Sequence, residues 1–397
     1  MNILFYRYGS ICEPDVIDGF LELGHQVSEI TEEITNKTLL PSQTILLISE
    51  YLGNDPHDLV FTINFYPAIS EVCTLLKIPY VCWIVDSPVL ELYTTSVTNP
   101  YNRIFLFDYT MYQEFAPLNP SCIFYLPLAV NVNAKQAVIW NTDADTRHSY
   151  ASDVTFLGSL YSEKCPYDTL HHPSDYSRGY LDAIMQTQLK IYGYYFIEDL
   201  LNDSLIESYR NCNPDFFFFP ADSYLTDRIT LSLYYIGNKI TALERDTTMR
   251  LLSENFSTTI YTGSDTSMYP KLHNRGFAKT LTEMPVIFHE SKININTTSK
   301  PIRSGLPLRI WDILGSGGFV LSNYQSEIPD LLQIGEHLDT YGSMKELLEK
   351  CEYYLAHDKI RKEIAENGFK EVAAHHTYVH RLQTLLELAF NSTENEV

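Results

Sequence analysis

Positive charge is scarce in this chain: 28 Lys and Arg stand against 50 Asp and Glu among 397 residues, a formal net charge of −22 at pH 7. A field of that sign repels a phosphate backbone, which excludes nucleic acid as a partner. It leaves room for a small anion held by a few local cations. No apolar run approaches the roughly 18–20 residues of a membrane span. The seven cysteines (12, 73, 82, 122, 165, 212 and 351) include no Cys-x-x-Cys pair and no spacing to histidine that suits a metal. An odd, scattered set of this kind reads as free thiols in a reducing compartment. Met1 to Phe5 carries no basic leader, so the expected location is cytoplasmic. Also missing are a solenoid-length repeat and the dinucleotide glycine fingerprint. Only Gly9-Ser10 follow the first apolar run, which excludes NAD.

What remains is globular: 45% of residues are apolar and 20% charged. The length suits two domains of roughly 150–200 residues each. Ile3-Leu4-Phe5-Tyr6 predicts a strand, Pro14 to Leu21 a helix closed by Gly24, and His25-Gln26-Val27 a second strand. That is the β-α-β opening of a Rossmann-like domain. Further apolar runs over 59–63, 79–85 and 104–107 end on Asn64, Asp86 and Asp108. Ligands bind at the carboxyl ends of parallel strands, so these three polar groups line a candidate edge. The plain alternative is that strand ends are simply polar and wet. Residues 131–152 are polar and read as a linker, with Asp143-Ala144-Asp145 inside it as linker rather than metal site. The expected organisation is therefore a first domain over 1–150, a second over 151–377, and a C-terminal helix and tail over 378–397.

In the second half, apolar runs over 154–157 and 258–261 predict strands with glycine exits at Gly158 and Gly263. The stretch between 160 and 256 reads as mostly helical, with Arg178, Arg228, Arg245 and Arg250 as surface or ion-paired residues. The densest chemistry lies between 291 and 322, a strand, a basic loop, a helix and another strand. Lys292, Lys300, Arg303 and Arg309 there form a basic island in an acidic chain. Such an island at strand ends points to an anionic small ligand, with a nucleoside diphosphate as the leading candidate. The 3, 4, 7 spacing of apolar residues predicts helices near 344–355 and 382–389.

Several segments carry a family resemblance. They include Asn64 with Pro67, Tyr80 to Pro88, Phe107-Asp108, Leu126 to Ala129, Phe156 to Tyr161 and Tyr261 to Thr266. In the second half they continue with Glu283-Met284-Pro285, Ser291 to Asn296, Gly305 to Arg309, Asp312 to Gln325, and His376 to Arg381. Across nearly its whole length the chain resembles the CgeB-like (spore-maturation-type) bacterial glycosyltransferases. The resemblance implies an α/β fold of GT-B architecture. Two Rossmann-like domains would face each other across a cleft, with the C-terminal helix returning to the first.

It also implies transfer of a sugar from a UDP-, GDP- or dTDP-linked donor, without cofactor or metal, to an acceptor left open between a protein and a cell-surface glycan. The donor side would comprise Gly263, Gly276, Phe277, Asn296, Lys300, Arg303, Arg309 and Asp312. In it Gly276-Phe277 border the base, Asp312 grips the ribose hydroxyls, and the cations meet the diphosphate. For Arg309 an ion pair with Asp312, three residues on, is the competing role. Asn64, Tyr66, Trp83 and Asp108 would stand on the acceptor side. A Glu-x7-Glu pair marks many retaining relatives, but the position eight before Asp312 is Ser304. An inverting reaction would need a general base, for which Asp86 and His289 are the candidates. A non-catalytic nucleotide- or sugar-binding scaffold of a glycosylation complex is the alternative. Oligomeric state is not legible in the sequence.

Overall fold

A computed structural model describes residues 1–163, 165–216 and 227–391. The chain forms two compact units, one built on Met1–Val130 and the segment from His376, the other lying between Asn131 and His375.

The first unit holds a six-stranded parallel sheet of β1 (Asn2–Tyr6), β2 (Gln26–Ile30), β3 (Leu59–Ile63), β4 (Tyr80–Ile84), β5 (Asn102–Leu106) and β6 (Ile123–Tyr125). Their order is β2-β1-β3-β4-β5-β6. Every residue of β3 and β4 is buried, as helices on both faces of a parallel sheet require. The order reverses between β1 and β3, the position at which sheets of this kind open a crevice. Beside it begins the helix Glu13–Glu22. The carboxylate of Glu13 is fully buried and accepts from the backbone N–H of Tyr8 at 2.9 Å and of Gly9 at 3.0 Å, and from Arg7 Nε at 3.0 Å. The amide cradle after β1 is thus filled by the protein's own side chain, a physical reason for the missing dinucleotide site.

The last helix, Tyr378–Asn391, returns to this unit as expected. It packs on the Glu13 helix at Gly19, where a Cβ would lie 2.7 Å from Leu382 Cδ1. Arg381 Nε donates to the Pro127 carbonyl at 3.0 Å, and Arg103 Nε to that of Ala389 at 2.7 Å.

The second unit repeats the plan with β7 (Ser152–Leu157), β8 (Thr258–Tyr261), β9 (His273–Asn274), β10 (Ser291–Asn296), β11 (Val320–Asn323) and β12 (Asp339–Tyr341). The order is β12-β11-β10-β7-β8-β9, again parallel, with its reversal between β7 and β10. Its helices include Asn238–Asn255, Met284–Glu290, Leu308–Gly315 and Asp358–His375. Between β7 and β8 a mostly helical segment builds its own apolar cluster around Leu181, Ile197, Tyr209 and Ile236.

Residues 131–150 depart from the sequence reading. They form the helices Val132–Asn141 and Ala144–Ser149 rather than a linker, and the units part at Val130, not at 150. The cause is a short buried stripe, Val132, Lys135 and Ile139, that an otherwise polar composition hides. Asp143 caps the second of these helices by accepting from Thr146 N at 2.9 Å.

Among the described residues no helix is long and apolar enough to cross a membrane. All seven cysteines are free thiols.

Candidate functional site

The reversal between β7 and β10 puts the carboxyl ends of β7, β10 and β11 around one point. Asn296 ends β10, is buried, and donates from Nδ2 to Ser322 Oγ at 2.9 Å and Thr298 Oγ1 at 3.0 Å. Asn323, at the end of β11, accepts from Thr298 N at 2.9 Å and donates to Glu244 Oε1 at 3.3 Å. Glu244 is buried on the Asn238 helix and pairs with Lys300 Nζ at 2.9 Å. The ammonium also stands 4.7 Å from the centre of the Tyr192 ring. Lys300 is therefore at the expected edge. The sequence made it a candidate for the diphosphate; its ammonium is already ion-paired with Glu244.

The Leu308 helix connects the parallel strands β10 and β11, so its N-terminus stands at this edge, where a helix start offers free amides. Arg309 lies in its first turn. Its Nη1 donates to Met284 Sδ at 2.6 Å, and its guanidinium lies 5.2 Å from the Phe288 ring centre. Burial pushes this guanidinium down from its ordinary value, the charge of Asp312 opposes that shift, and the charge of Arg245 adds to it. Asp312 is 8% exposed and pairs through Oδ1 with Lys135 Nζ at 2.9 Å. Asp312 thus has a lysine from the Val132 helix as its ion-pair partner, which the sequence reading did not foresee.

The turn that would border a base is a local unit. Gly276 has φ +74°, and a Cβ at Gly263 would fall 2.1 Å from Phe277 Cζ, so glycine lets the ring lie against the backbone. Phe277 is 86% exposed, an aromatic face open to solvent. Arg303 is half-buried near Tyr195, whose hydroxyl feels its charge.

The sequence reading took Arg245 for a surface or ion-paired residue, but its contacts are backbone carbonyls and aromatic rings. From the Asn238 helix its Nη1 donates to the carbonyl of Ser159, just past β7, at 2.6 Å, and its Nη2 to that of Thr297, just past β10, at 2.8 Å. The guanidinium bridges the reversal point. It lies 4.8 Å from the centre of the Tyr161 ring and 5.5 Å from that of Phe156. Burial pushes it below its ordinary value, and its Nε has no hydrogen-bond partner among the described residues. One signal was available: Thr241, Glu244 and Thr248 form a polar stripe at helical spacing on the buried face beside Ile240, Met249 and Leu252. A polar stripe facing a sheet marks a helix that serves a site.

In the first unit, Asn64 takes a left-handed backbone (φ +59°) at the end of β3. Its Nδ2 donates to Asp86 Oδ2 at 2.8 Å and to Tyr8 Oη at 3.1 Å, and its Oδ1 accepts from Val85 N at 3.1 Å. Asp86 is exposed beyond β4, where the chain turns away through a cis Ser87–Pro88 bond. Tyr66 donates to Glu33 Oε1 at 3.2 Å and packs on the rings of Tyr6 and Tyr8. Burial, then the charge of Asp86, raises the Tyr8 hydroxyl. Asn64, Tyr66 and Asp86 therefore share one edge.

Trp83 and Asp108 do not join them. Trp83 is 1% exposed, donates to the Leu126 carbonyl at 3.2 Å and packs edge-on against Tyr378, so its ring is enclosed in the core. Asp108 is fully buried and caps the helix Tyr109–Phe115 by accepting from Met111 N at 2.9 Å.

His289 and Lys292 lie at the opposite edge. His289 precedes β10, so the full strand, roughly 20 Å, separates it from the carboxyl ends. Its Nδ1 donates to the Ser316 carbonyl at 2.9 Å, which makes it a tie for the end of the Leu308 helix and not a base at the site. Lys292 sits at the same edge and pairs with Asp153 at 2.7 Å. Among the described residues no group of three or more His, Cys, Asp or Glu is arranged to hold a metal ion.

Residues 243–387 match the family model described as glycosyl transferase-like. No curated protein sequence matches the chain. Among solved structures, Anabaena HepE in complex with UDP and glucose is similar at 12% identity and TM-score 0.54, over 98% of each chain. The sucrose-phosphate synthase of Thermosynechococcus elongatus is similar at 9% identity and TM-score 0.54, over 99% of this chain and 100% of that one. A UDP-forming trehalose-phosphate synthase from Burkholderia xenovorans is similar at 13% identity and TM-score 0.51, over 99% of each. The two parallel sheets and their flanking helices are the GT-B fold.

Proposed function

We propose that this chain, with a glycosyl transferase-like segment over 243–387 on a GT-B fold, transfers a sugar from a nucleoside-diphosphate donor to an acceptor hydroxyl. We assign it to the CgeB-like group and place it in the cytoplasm, a location that free thiols suit. One observation carries the reading. The carboxyl end of β10 with Asn296, and the start of the Leu308 helix that carries Arg309 and Asp312, both fall inside the matched segment at the reversal edge of the second sheet. UDP is the favoured nucleotide, since HepE was solved with UDP and the Burkholderia synthase is UDP-forming.

In the proposed step the acceptor oxygen bonds to the anomeric carbon as the bond from that carbon to the diphosphate oxygen breaks. The leaving diphosphate gains negative charge, which a guanidinium and the helix amides stabilise without a metal ion. Asp86 takes the acceptor proton in an inverting displacement. Its carboxylate is exposed and oriented by Asn64 and Tyr8, as a base needs.

The test is a thermal-shift series with UDP, GDP and dTDP at millimolar concentration in metal-free buffer. A rise with one of them is expected, and no rise with any of the three removes the donor assignment. The position eight before Asp312 is a buried serine, and this observation favours the second reading, a non-catalytic binding protein. Release of nucleoside diphosphate from a panel of nucleotide sugars decides between the two.

A further inference from the structure

Among the described residues Arg245 makes no direct ion pair; the charge of Glu244 acts on it from a distance, and that carboxylate is itself paired with Lys300. The partners of Arg245 are two carbonyl oxygens and two aromatic faces, which position a cation without neutralising it. A guanidinium has five N–H donors, and the two carbonyls use two of them. Desolvation of a charge with no ion-pair partner in contact is costly, so such an arrangement persists where something else holds it in place.

Here the device is visible. Tyr161 adopts φ +64°, a conformation that a bulky side chain rarely takes, and its ring backs the guanidinium at 4.8 Å. Local strain of this kind is held where a site needs a side chain fixed. Arg309 approaches from the Leu308 helix, and its guanidinium is pushed down partly by the charge of Arg245. An anion at this strand-end crevice, where Arg245 bridges the ends of β7 and β10, meets the N–H groups that the two carbonyls leave over. Arginine suits phosphate oxygens there because its planar fork offers two parallel N–H groups.

We infer that Arg245 binds the phosphate groups of the donor, its guanidinium reaching across the reversal between β7 and β10. This rests on the donor reading above and adds to it a residue on the Asn238 helix, outside the basic stretch 291–322. The uncharged nucleoside makes no use of this contact, so phosphate-bearing and phosphate-free ligands separate the two ideas.

Calorimetric titration of UDP and uridine is compared for the unaltered protein, Arg245→Lys and Arg245→Gln. The expected result is an Arg245→Gln loss of about 10- to 100-fold for UDP, the scale of hydrogen bonds to a charged group. Uridine binding should hold within a few-fold, and Arg245→Lys should fall between. UDP binding by the unaltered protein that is unchanged in Arg245→Gln overturns the inference and leaves the donor reading standing. No binding of UDP, GDP or dTDP by the unaltered protein overturns both. If Arg245→Gln fails to fold, a crystal of the unaltered protein soaked with UDP decides. A phosphate oxygen about 3 Å from the Arg245 guanidinium supports the inference, and phosphates lying elsewhere overturn it.

Discussion

Truncating Lys135 separates two jobs that fall on the Asp312 carboxylate, holding the fold and holding a ligand. The ions are 2.9 Å apart, with side-chain exposures of 6% and 12%. At an effective dielectric near 20 their attraction is about 6 kcal/mol. Desolvation of both groups offsets most of it, so the intact pair contributes little net stability. Removing one partner is different, because the survivor stays buried without its counter-charge, at a cost of about 3–5 kcal/mol. Lys135→Met and Asp312→Leu are therefore each expected to lower the unfolding free energy by about that amount in urea titrations. The double variant should lose less than the sum, with a coupling of about 2–3 kcal/mol. Ligand affinity gives the second axis. Lys135→Met keeps the carboxylate and should retain UDP binding, whereas Asp312→Leu should lose it. Additive stability changes would refute the buried pair as the anchor of this helix. UDP binding untouched in Asp312→Leu would refute the ribose role.

Three further outcomes are expected. Asp86→Asn should cut sugar transfer by about 100-fold or more while UDP affinity stays constant; full activity in initial-rate assays would remove Asp86 as base. Asp108→Ala should lower stability by about 1 kcal/mol through loss of a helix cap, with kinetic constants unchanged. Burial pushes the thiols of Cys12, Cys73 and Cys351 up to about 12. A thiol raised in the folded state contributes stability below its unfolded value of about 8.5 and loses it as pH climbs toward 12. The melting temperature should therefore fall across that window, and fall less in a Cys12→Ala variant; equal slopes would show that this thiol is not responsible.

Much of the architecture was legible because its signals are local. Short apolar runs bounded by proline, glycine and polar residues marked strands such as β3 and β4, and the 3, 4 spacing marked the returning C-terminal helix. Asn64, Asp86, Asn296, Arg309 and Asp312 could be placed because strand ends and helix starts can be located from sequence. Trp83 was misjudged because nearness to a strand end says nothing of burial, and a strand covered on both faces has no open side. Asp108 was misjudged because a strand's end is also the next helix's beginning, and the cap prevailed. His289 needed only the element order: a helix that precedes a parallel strand delivers its C-terminus to the amino edge. Lys135 was out of reach by such rules, and for Arg245 the polar stripe could mark the helix but not the contacts. Their partners are 177 and 52 residues away, in Asp312 and Thr297, and only the folded chain brings them together.

The buried carboxylate of Glu13 has a consequence for stoichiometry. Two sheets of one plan offer, in principle, two anion cradles per chain, and a duplicated architecture of this sort invites a second, inhibitory molecule of nucleotide. In the first sheet a side chain already occupies the amides of Tyr8 and Gly9. A phosphate arriving there meets like charge where it needs donors. The repeat is therefore symmetric in topology and asymmetric in saturation: titration of UDP should end at one equivalent per chain. Glu13→Gln, which keeps the shape and removes the charge, is the substitution with which to look for a second.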